Sequence, residues 1–143
     1  SGAESYLKSE GFAYSILDLP LKKEWYNMIE SGIKTEEYRE LKPFWANRLL
    51  YPVTLGIKEY WGPVLKRAFE FAEKYPYVTL HNLLIGDYGT RGYTHIRFRY
   101  GYTKRTMLFE LRELRVGKGN KEWGAPEEEV FILKLGNRVW KEK

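Results

Sequence analysis

The chain has 143 residues, of which 43% are hydrophobic and 17% are aromatic, and its formal net charge is +5. This length and composition predict one domain with a single core and exclude a largely disordered chain, while the positive charge favours an anionic partner. The absence of cysteine excludes thiol chemistry and cysteine-bound metals. The sequence has no long apolar run and no signal-peptide pattern. We therefore predict a cytoplasmic protein without a membrane partner, metal or other cofactor.

The first part of the chain predicts an arm, a strand and a helix. Ser1-Gly2 is typical of the remnant that tag removal leaves, and residues 3–11 predict a loose arm with at most one turn of helix. The apolar stretch Phe12–Leu19 predicts a strand ended by the proline that follows it. Apolar residues at helical spacing predict a helix over Leu21–Ser31, which Gly32 can end in the left-handed conformation.

The segment Gly32–Arg39 places opposite charges at short spacing. If it forms one strand, Lys34 and Glu36 share one face. Glu37 and Arg39 share the other face, and an ordinary solvated edge strand has a similar composition. Lys34 is then open to three interpretations: a surface lysine paired with Glu36, a contact to phosphate or a base, or a catalytic base whose pKa is lowered by burial.

Residues 40–51 contain a proline followed by two aromatics, which predicts a short helical turn or an ordered loop. A helical pattern follows over residues 64–75. The second half predicts closely spaced strands over residues 78–82, 94–100, 106–116 and 129–135. Early helices and late strands predict an α+β fold whose core is a small β-barrel or a curled mixed sheet flanked by helices.

Positive charge is concentrated in residues 91–118, which contain eight basic and two acidic side chains. Arg97 and Arg99 fall on one face of a predicted strand. The hairpin turn that follows contributes Tyr102, Lys104 and Arg105. Guanidinium groups pair with phosphates and aromatic planes stack on bases, so this segment suits nucleic acid. A solvated sheet face whose tyrosines cover the core would show the same pattern.

Two motifs resemble those of a known family. The pattern Gly-x-Lys-Thr-x-x-x-Arg after an amphipathic helix is formed here by Gly32, Lys34, Thr35 and Arg39. It resembles the signature of ASCH domains, small relatives of the pseudouridine-synthase-and-archaeosine-transglycosylase (PUA) fold. Trp123-Gly124-Ala125-Pro126 and the apolar strand Val130–Leu135 also resemble the closing portion of family members. The resemblance covers the core of a single domain, roughly residues 12 to 136, and implies a PUA-like barrel.

The family includes proteins that bind or cleave RNA and amidohydrolases that remove an acetyl group from modified cytidine. The resemblance implies that such a deacetylase would use the motif lysine, a hydroxyl residue two positions before the arginine, and a distant glutamate. This chain keeps Lys34, but the position two before Arg39 is Glu37, and Thr35 directly follows the lysine. Because a carboxylate cannot act as the hydroxyl does, this departure weakens the deacetylase interpretation.

We therefore predict an ASCH-like protein that binds RNA or a nucleotide-like ligand in a basic cleft between the signature segment and the hairpin. Lys34 and Arg39 would contact phosphate or a base carbonyl, and Glu37 would accept from a base amine or orient Arg39. Trp45 or Trp123 would stack on a base. The candidate ligand-binding residues are Lys34, Thr35, Glu37, Arg39, Trp45, Arg97, Arg99, Tyr102, Lys104, Arg105 and Trp123.

The alternative is a hydrolase that acts on a modified nucleoside, such as an acetylcytidine, or a ribonuclease. Lys34 would be the base or an electrostatic stabiliser, and Glu37 or Glu110 the acidic partner. Glu110 lies in an apolar strand, so its carboxylate either faces outward or is a buried partner for Lys34 or Arg39. A third interpretation is a protein-interaction module whose basic surface serves only solubility.

Overall fold

A computed structural model describes residues 2–11, 13–52, 70, 88–90 and 92–142. The elements in chain order are α1 (Gly2–Ser9), β1 (Ile16–Leu21), α2 (Lys23–Glu30), β2 (Glu36–Glu40), α3 (Pro43–Leu49), β3 (Leu50–Pro52), β4 (Tyr88–Thr90), β5 (His95–Tyr100), β6 (Thr106–Gly117), a 3-10 turn (Lys121–Trp123) and β7 (Val130–Lys141). These elements confirm the α+β class. The helix predicted over residues 64–75, apart from residue 70, and the strand predicted over residues 78–82 lie outside the described residues.

Five strands form one curled mixed sheet in the order β1-β5-β6-β7-β2, and β3 pairs with β4 in a separate ribbon. β1 runs parallel to β5, whereas the other neighbours in the large sheet are antiparallel. β6 and β7 are the two longest strands, and their register shifts at three places between Leu108 and Glu113. Because such irregularities bend a strand and increase its twist, they account for the half-barrel shape of the sheet.

The main core lies between the sheet and the helices α2 and α3. Ile96 and Phe98 of β5 are fully buried, whereas the arginines between and beside them are partly exposed, as the alternating pattern predicts. Tyr26 and Ile29 of α2 are also buried against this core. α3 contributes Ala46 and confirms the short helical turn predicted for residues 40–51.

The first predicted strand is shifted along the chain. β1 begins at Ile16 rather than at residue 12, and it continues through Pro20 to Leu21. The prediction that proline ends this strand is therefore wrong. Proline is tolerated because β1 is an edge strand, where a missing backbone N–H breaks no ladder on its outer side.

The strand predicted over Gly32–Arg39 begins only at Glu36. Gly32 has a φ of 85° and ends α2 as predicted. Its N–H donates to the carbonyl of Ile29, and the N–H of Lys34 donates to the carbonyl of Met28 at 3.0 Å. The residues before Glu36 are thus folded back onto the helix end, so strand alternation does not apply to Lys34.

The N-terminal segment is a helix packed on the sheet rather than the loose arm predicted from its polar sequence. Ala3 and Leu7 of α1 are buried, and they form a small core with Leu108 of β6. Trp140 packs against the same core, on the extension of β7 beyond the predicted end at Leu135. Because its partners come from the far end of the chain, the local sequence does not reveal this packing.

Truncation of the buried α1 leucine provides a test of this packing. We expect Leu7→Ala to lower the free energy of unfolding by about 2–5 kcal/mol, because it leaves a cavity against Leu108. Lys8→Ala on the exposed side of the helix serves as the control and should stay within about 0.5 kcal/mol of the parent. Urea denaturation measures both, and equal effects would show that α1 is not docked.

Candidate functional site

Three charged side chains converge beside the edge strand β2, and we call them the charged cluster: Lys34, Glu37 and Arg39. Lys34 is 1% exposed and Glu37 5% exposed. The Lys34 Nζ lies 3.4 Å from the Glu37 Oε1, and the Arg39 Nη1 lies 3.5 Å from the same oxygen. One carboxylate oxygen is therefore shared by two cations, and the cluster carries a formal charge of +1.

The predicted pairing of Lys34 with Glu36 is not formed. Glu36 instead accepts from the Tyr38 hydroxyl at 2.8 Å and from the Arg115 Nη2 at 3.2 Å. Lys34 precedes the strand and turns inward to Glu37, whereas the predicted pairing required both residues to lie on one strand face. The surface-lysine interpretation is thereby excluded, since Lys34 is buried.

An aromatic and carbonyl cage encloses the Lys34 ammonium. Its Nζ lies 4.7 Å from the Tyr38 ring centroid and 5.3 Å from that of Trp25, and it donates to the backbone carbonyl of Trp123. Ring faces attract a cation, but they do not replace the water that a surface lysine retains. Burial accordingly lowers the pKa of Lys34, and the charge of Glu37 opposes this shift.

Two glycines allow the loop between β6 and β7 to approach the cage. A Cβ on Gly124 would meet the Trp25 ring at 3.0 Å, and the φ of Gly124 is 96°. A Cβ on Gly119 would meet the Tyr38 ring at 2.5 Å. Trp123 contacts the site through its backbone carbonyl, which accepts a hydrogen bond from the Lys34 ammonium. Stacking of its ring on a base stays a prediction.

Tyr38 connects the strand to this loop. Its hydroxyl donates to Glu36 and accepts from the backbone N–H of Asn120 at 3.0 Å. Its ring packs with Ala125, Val130 and Ile132 in a second small core. Burial raises the pKa of Tyr38, so the hydroxyl remains a donor. The sequence does not single out Trp25 or Tyr38, because their helical and strand patterns resemble those of ordinary core residues.

The two oxygens of Glu37 have different environments. Oε1 accepts from the backbone N–H of Tyr38 at 2.8 Å and faces both cations of the cluster. Oε2 is buried and has no hydrogen-bond partner among the residues that the structure describes. A buried carboxylate oxygen without a donor is energetically costly. The site therefore contains one buried acceptor whose hydrogen-bonding capacity the described residues leave unused.

Trp45 lies beside the cluster at the start of α3. The guanidinium carbons of Arg39 and Arg48 lie 5.0 Å and 5.5 Å from its ring centroid. The Arg48 Nη2 donates to the carbonyl of Asp18 at 2.9 Å, so α3 links the two edge strands β2 and β1. Burial lowers the pKa of Arg39, and Glu37 opposes this effect. Phe44, the residue before Trp45, is 65% exposed, and the two rings meet edge to face.

The predicted basic hairpin lies elsewhere in the sheet. Arg97 pairs with Asp18 through Nε at 2.5 Å and with Glu4 through Nη1 at 3.0 Å. These carboxylates raise the pKa of Arg97. Arg99 donates to the carbonyl of Thr103 at 3.0 Å. Both arginines lie on β5, and β6 and β7 separate β5 from β2 in the sheet. The predicted cleft between the signature segment and the hairpin is therefore not formed by adjacent strands.

The remaining predicted residues do not join the cluster. Glu110 pairs across the sheet with His95, and its Oε1 accepts from the backbone N–H of Asn137 at 3.2 Å. Burial lowers the pKa of His95, and the charge of Glu110 opposes this effect. Thr35 has an exposed side chain and contributes its carbonyl to the N–H of Leu135 at 3.0 Å. Thus Glu110 is not the partner of Lys34 or Arg39 that one interpretation required.

Comparisons with protein-family models, with curated proteins and with solved structures found no match. Among the described residues, no group of three or more histidine, aspartate or glutamate side chains is arranged to hold a metal ion. None of the described helices has the length and apolarity needed to cross a bilayer. The interpretation of the site therefore depends on its geometry.

The lowered pKa of Lys34 predicts a pH-dependent difference between the protein and Lys34→Met. Below the folded-state pKa the amine is charged in both states, so folding carries the full cost of its burial. Between that pKa and about 10.4, the value of the unfolded chain, the unfolded state binds more protons, so this cost diminishes as pH rises. The stability of the protein relative to Lys34→Met should therefore rise through this interval and level off above it. Urea titrations of both proteins at a series of pH values measure this difference in the free energy of unfolding. A difference that does not change with pH would contradict the lowered pKa of Lys34.

The close approach of the loop predicts a contrast between two glycines. Gly119→Ala should destabilise the protein by about 1–3 kcal/mol, because the new methyl group overlaps the Tyr38 ring and the Ala125 side chain. Gly117→Ala is the matched control, since its nearest contact is the flexible end of Arg115 at 3.3 Å. Thermal unfolding compares them. A smaller effect for Gly119→Ala than for Gly117→Ala would contradict the described packing.

Proposed function

We propose that this chain binds RNA or a nucleotide-like ligand at the charged cluster. The observation that carries the proposal is the buried Glu37 Oε2, which has no donor among the described residues. Nucleobases present exocyclic amines, and a carboxylate accepts from such groups in base recognition. A base amine placed at this oxygen would remove the cost of an unsatisfied buried acceptor.

The cations of the cluster favour a ligand that also carries acceptors. The Arg39 side chain is 15% exposed, whereas the Lys34 side chain is 0% exposed. Arg39 is therefore the cation that can reach a base carbonyl or a phosphate from solvent, and its fork suits both groups. Lys34 would act mainly by holding Glu37 charged and oriented, which differs from the direct contact expected from the sequence.

An aromatic surface stands next to these groups. Trp45 lies under the guanidinium groups of Arg39 and Arg48, so part of its ring is already in contact with cations. Phe44 is exposed beside it and offers a face for base stacking, an interaction that tolerates any base. The proposal therefore assigns polar recognition to Glu37 and Arg39, and stacking to Phe44 together with Trp45.

A second candidate function is hydrolysis of an acylated nucleoside, such as an acetylcytidine. One observation favours it: burial lowers the pKa of Lys34, which increases the share of neutral amine available as a base. Glu37, 3.4 Å away, would exchange the proton with it. Glu110 has no part in this proposal, because its contacts are with Asn137 and His95.

Binding of a fluorescent pool of single-stranded RNA across a salt series tests the leading proposal. We expect salt-sensitive binding that Glu37→Gln weakens by about 1.5–3 kcal/mol, because the amide replaces a charged acceptor. Glu40→Gln is the matched control: it removes the same charge from the same strand, at an exposed residue paired with Lys42 at 2.6 Å. Circular dichroism checks that each variant is folded.

The outcomes separate the candidates. Absence of binding at low salt would contradict the leading proposal, as would equal or tighter binding by Glu37→Gln than by Glu40→Gln. The same samples are examined for shortened RNA, and acetylcytidine is incubated separately with the protein. Hydrolysis that disappears in Lys34→Met while binding persists would establish the second function instead.

A further inference from the structure

Cations from separate parts of the chain meet around the turn between β5 and β6. We call this surface the hairpin patch, and it consists of Lys23, Lys104, Arg105, Arg138 and Lys141. Lys104, Arg105 and Lys141 line an open depression of about 570 Å³ together with Glu142. The Lys23 Nζ lies 5.3 Å from the Tyr100 ring centroid, which brings α2 to the same place.

The patch keeps a positive balance after its ion pairs are considered. Glu30 accepts from the Arg105 Nη2 at 2.8 Å and 3.0 Å, and it lies 3.7 Å from the Lys141 Nζ. The Arg138 Nη1 donates to the backbone carbonyl of Glu30 at 3.5 Å, so it adds a cation without a further carboxylate. Lys104 is exposed and forms no hydrogen bond or ion pair with the described residues. Two carboxylates, those of Glu30 and Glu142, therefore face the five cations of the patch.

The patch combines a rigid part with a protruding aromatic. The guanidinium of Arg105 lies 5.2 Å from the Tyr26 ring centroid and 4.8 Å from that of Tyr100, and these contacts fix its position. Tyr102 at the turn is 99% exposed, and Gly101 before it has a φ of 57°. An exposed ring beside several cations matches the combination by which proteins hold single-stranded nucleic acid: stacking on a base and pairing with phosphates.

We propose that the hairpin patch is a second contact for single-stranded RNA, independent of base identity. Lys104 and Lys141 pair with phosphates of the backbone, and Tyr102 stacks on a base. The inference rests on the proposed function, because one RNA strand would occupy both the charged cluster and this patch. Along β7, Leu133 pairs with Glu37 and Lys141 borders the patch, so the two sites are at most roughly 26 Å apart along the strand. A binding site of about 4–16 nucleotides is suited to such a span.

The composition of the patch favours RNA over an anionic membrane surface. Membrane binding by a basic surface also requires large apolar side chains that enter the interface. Among the described residues the other exposed large hydrophobic side chains are Ile33 and Phe44, which belong to the β2 and α3 region and not to the hairpin. Tyr102 alone offers a stacking ring and little apolar area for insertion.

Salt titrations with an RNA of about 12 nucleotides test the phosphate contacts. We expect Lys104→Ala and Lys141→Ala each to reduce the steepness of log affinity against log salt by about 0.7, and to weaken low-salt binding about two-fold or more. Lys8→Ala is the matched control, an exposed lysine on α1 that belongs to neither the patch nor the charged cluster. It should retain the parent affinity and slope.

The stacking contact has its own pair of variants. Tyr102→Ala should weaken binding of the same RNA about five-fold or more, whereas Tyr102→Phe keeps the ring and should bind as the parent does. Because the side chain is 99% exposed, neither substitution removes a packed core residue. Equal loss in both variants would contradict stacking and would leave the hydroxyl as the contact.

Binding of a mixture of the four nucleoside monophosphates separates this inference from the proposed function, because one mononucleotide is too short to contact both sites at once. If Glu37→Gln weakens binding of RNA and mononucleotides but the patch variants change neither, the patch is overturned and the proposed function stands. If the patch variants alter the RNA slope while Glu37→Gln has no effect, the patch is supported and the charged cluster fails. Patch-dependent binding to phosphatidylserine vesicles with no patch effect on RNA would also overturn it.

Discussion

The ion pair between Lys34 and Glu37 is the constraint around which this region is built. Removing two charges from water costs several kcal/mol per ion, and their attraction offsets this only where further hydrogen bonds are supplied. Here the Trp123 carbonyl and the Tyr38 backbone N–H supply them, and Arg39 adds a second cation 3.5 Å from the same oxygen of Glu37. One oxygen of the carboxylate is left without a donor among the described residues. The proposed function rests on this oxygen, because a donor from a ligand would complete the hydrogen bonds of the pair.

The fold brings these partners together from four parts of the chain. The end of α2 turns Lys34 inward, β2 places Glu37 and Arg39 on the sheet edge, and α3 lays Trp45 against them. The loop before β7 closes the arrangement, because Gly119 and Gly124 let its backbone approach the aromatic rings. The loop can be held there because β2 pairs with β7, the strand that follows it. The loop is attached to β6 at one end and to β7 at the other, and residues held by regular strands are positioned more precisely than those on a free loop.

The sequence predicts much of the fold but only part of the site. Alternation over residues 94–100 correctly places Arg97 and Arg99 on one face of the strand, opposite the face on which Ile96 and Phe98 are buried. It fails at Lys34, because two backbone hydrogen bonds to α2 delay the start of the strand. Composition also indicates the positive hairpin. Ion pairs such as that of Arg97 with Asp18 join residues far apart in sequence, and no local pattern reveals them. The sequence does not indicate the role of Trp25 in the cage either, because its place in the helical pattern is that of an ordinary core residue.

The most direct test of this account is the structure of the protein bound to a short single-stranded RNA. The account predicts a base amine at about 2.7–3.2 Å from the Glu37 Oε2, with Lys34 still paired to the other oxygen. Arg39 would then contact a carbonyl or phosphate of the same nucleotide. An RNA bound elsewhere, with Oε2 still lacking a donor, would contradict the central claim that this buried carboxylate is completed by a nucleobase.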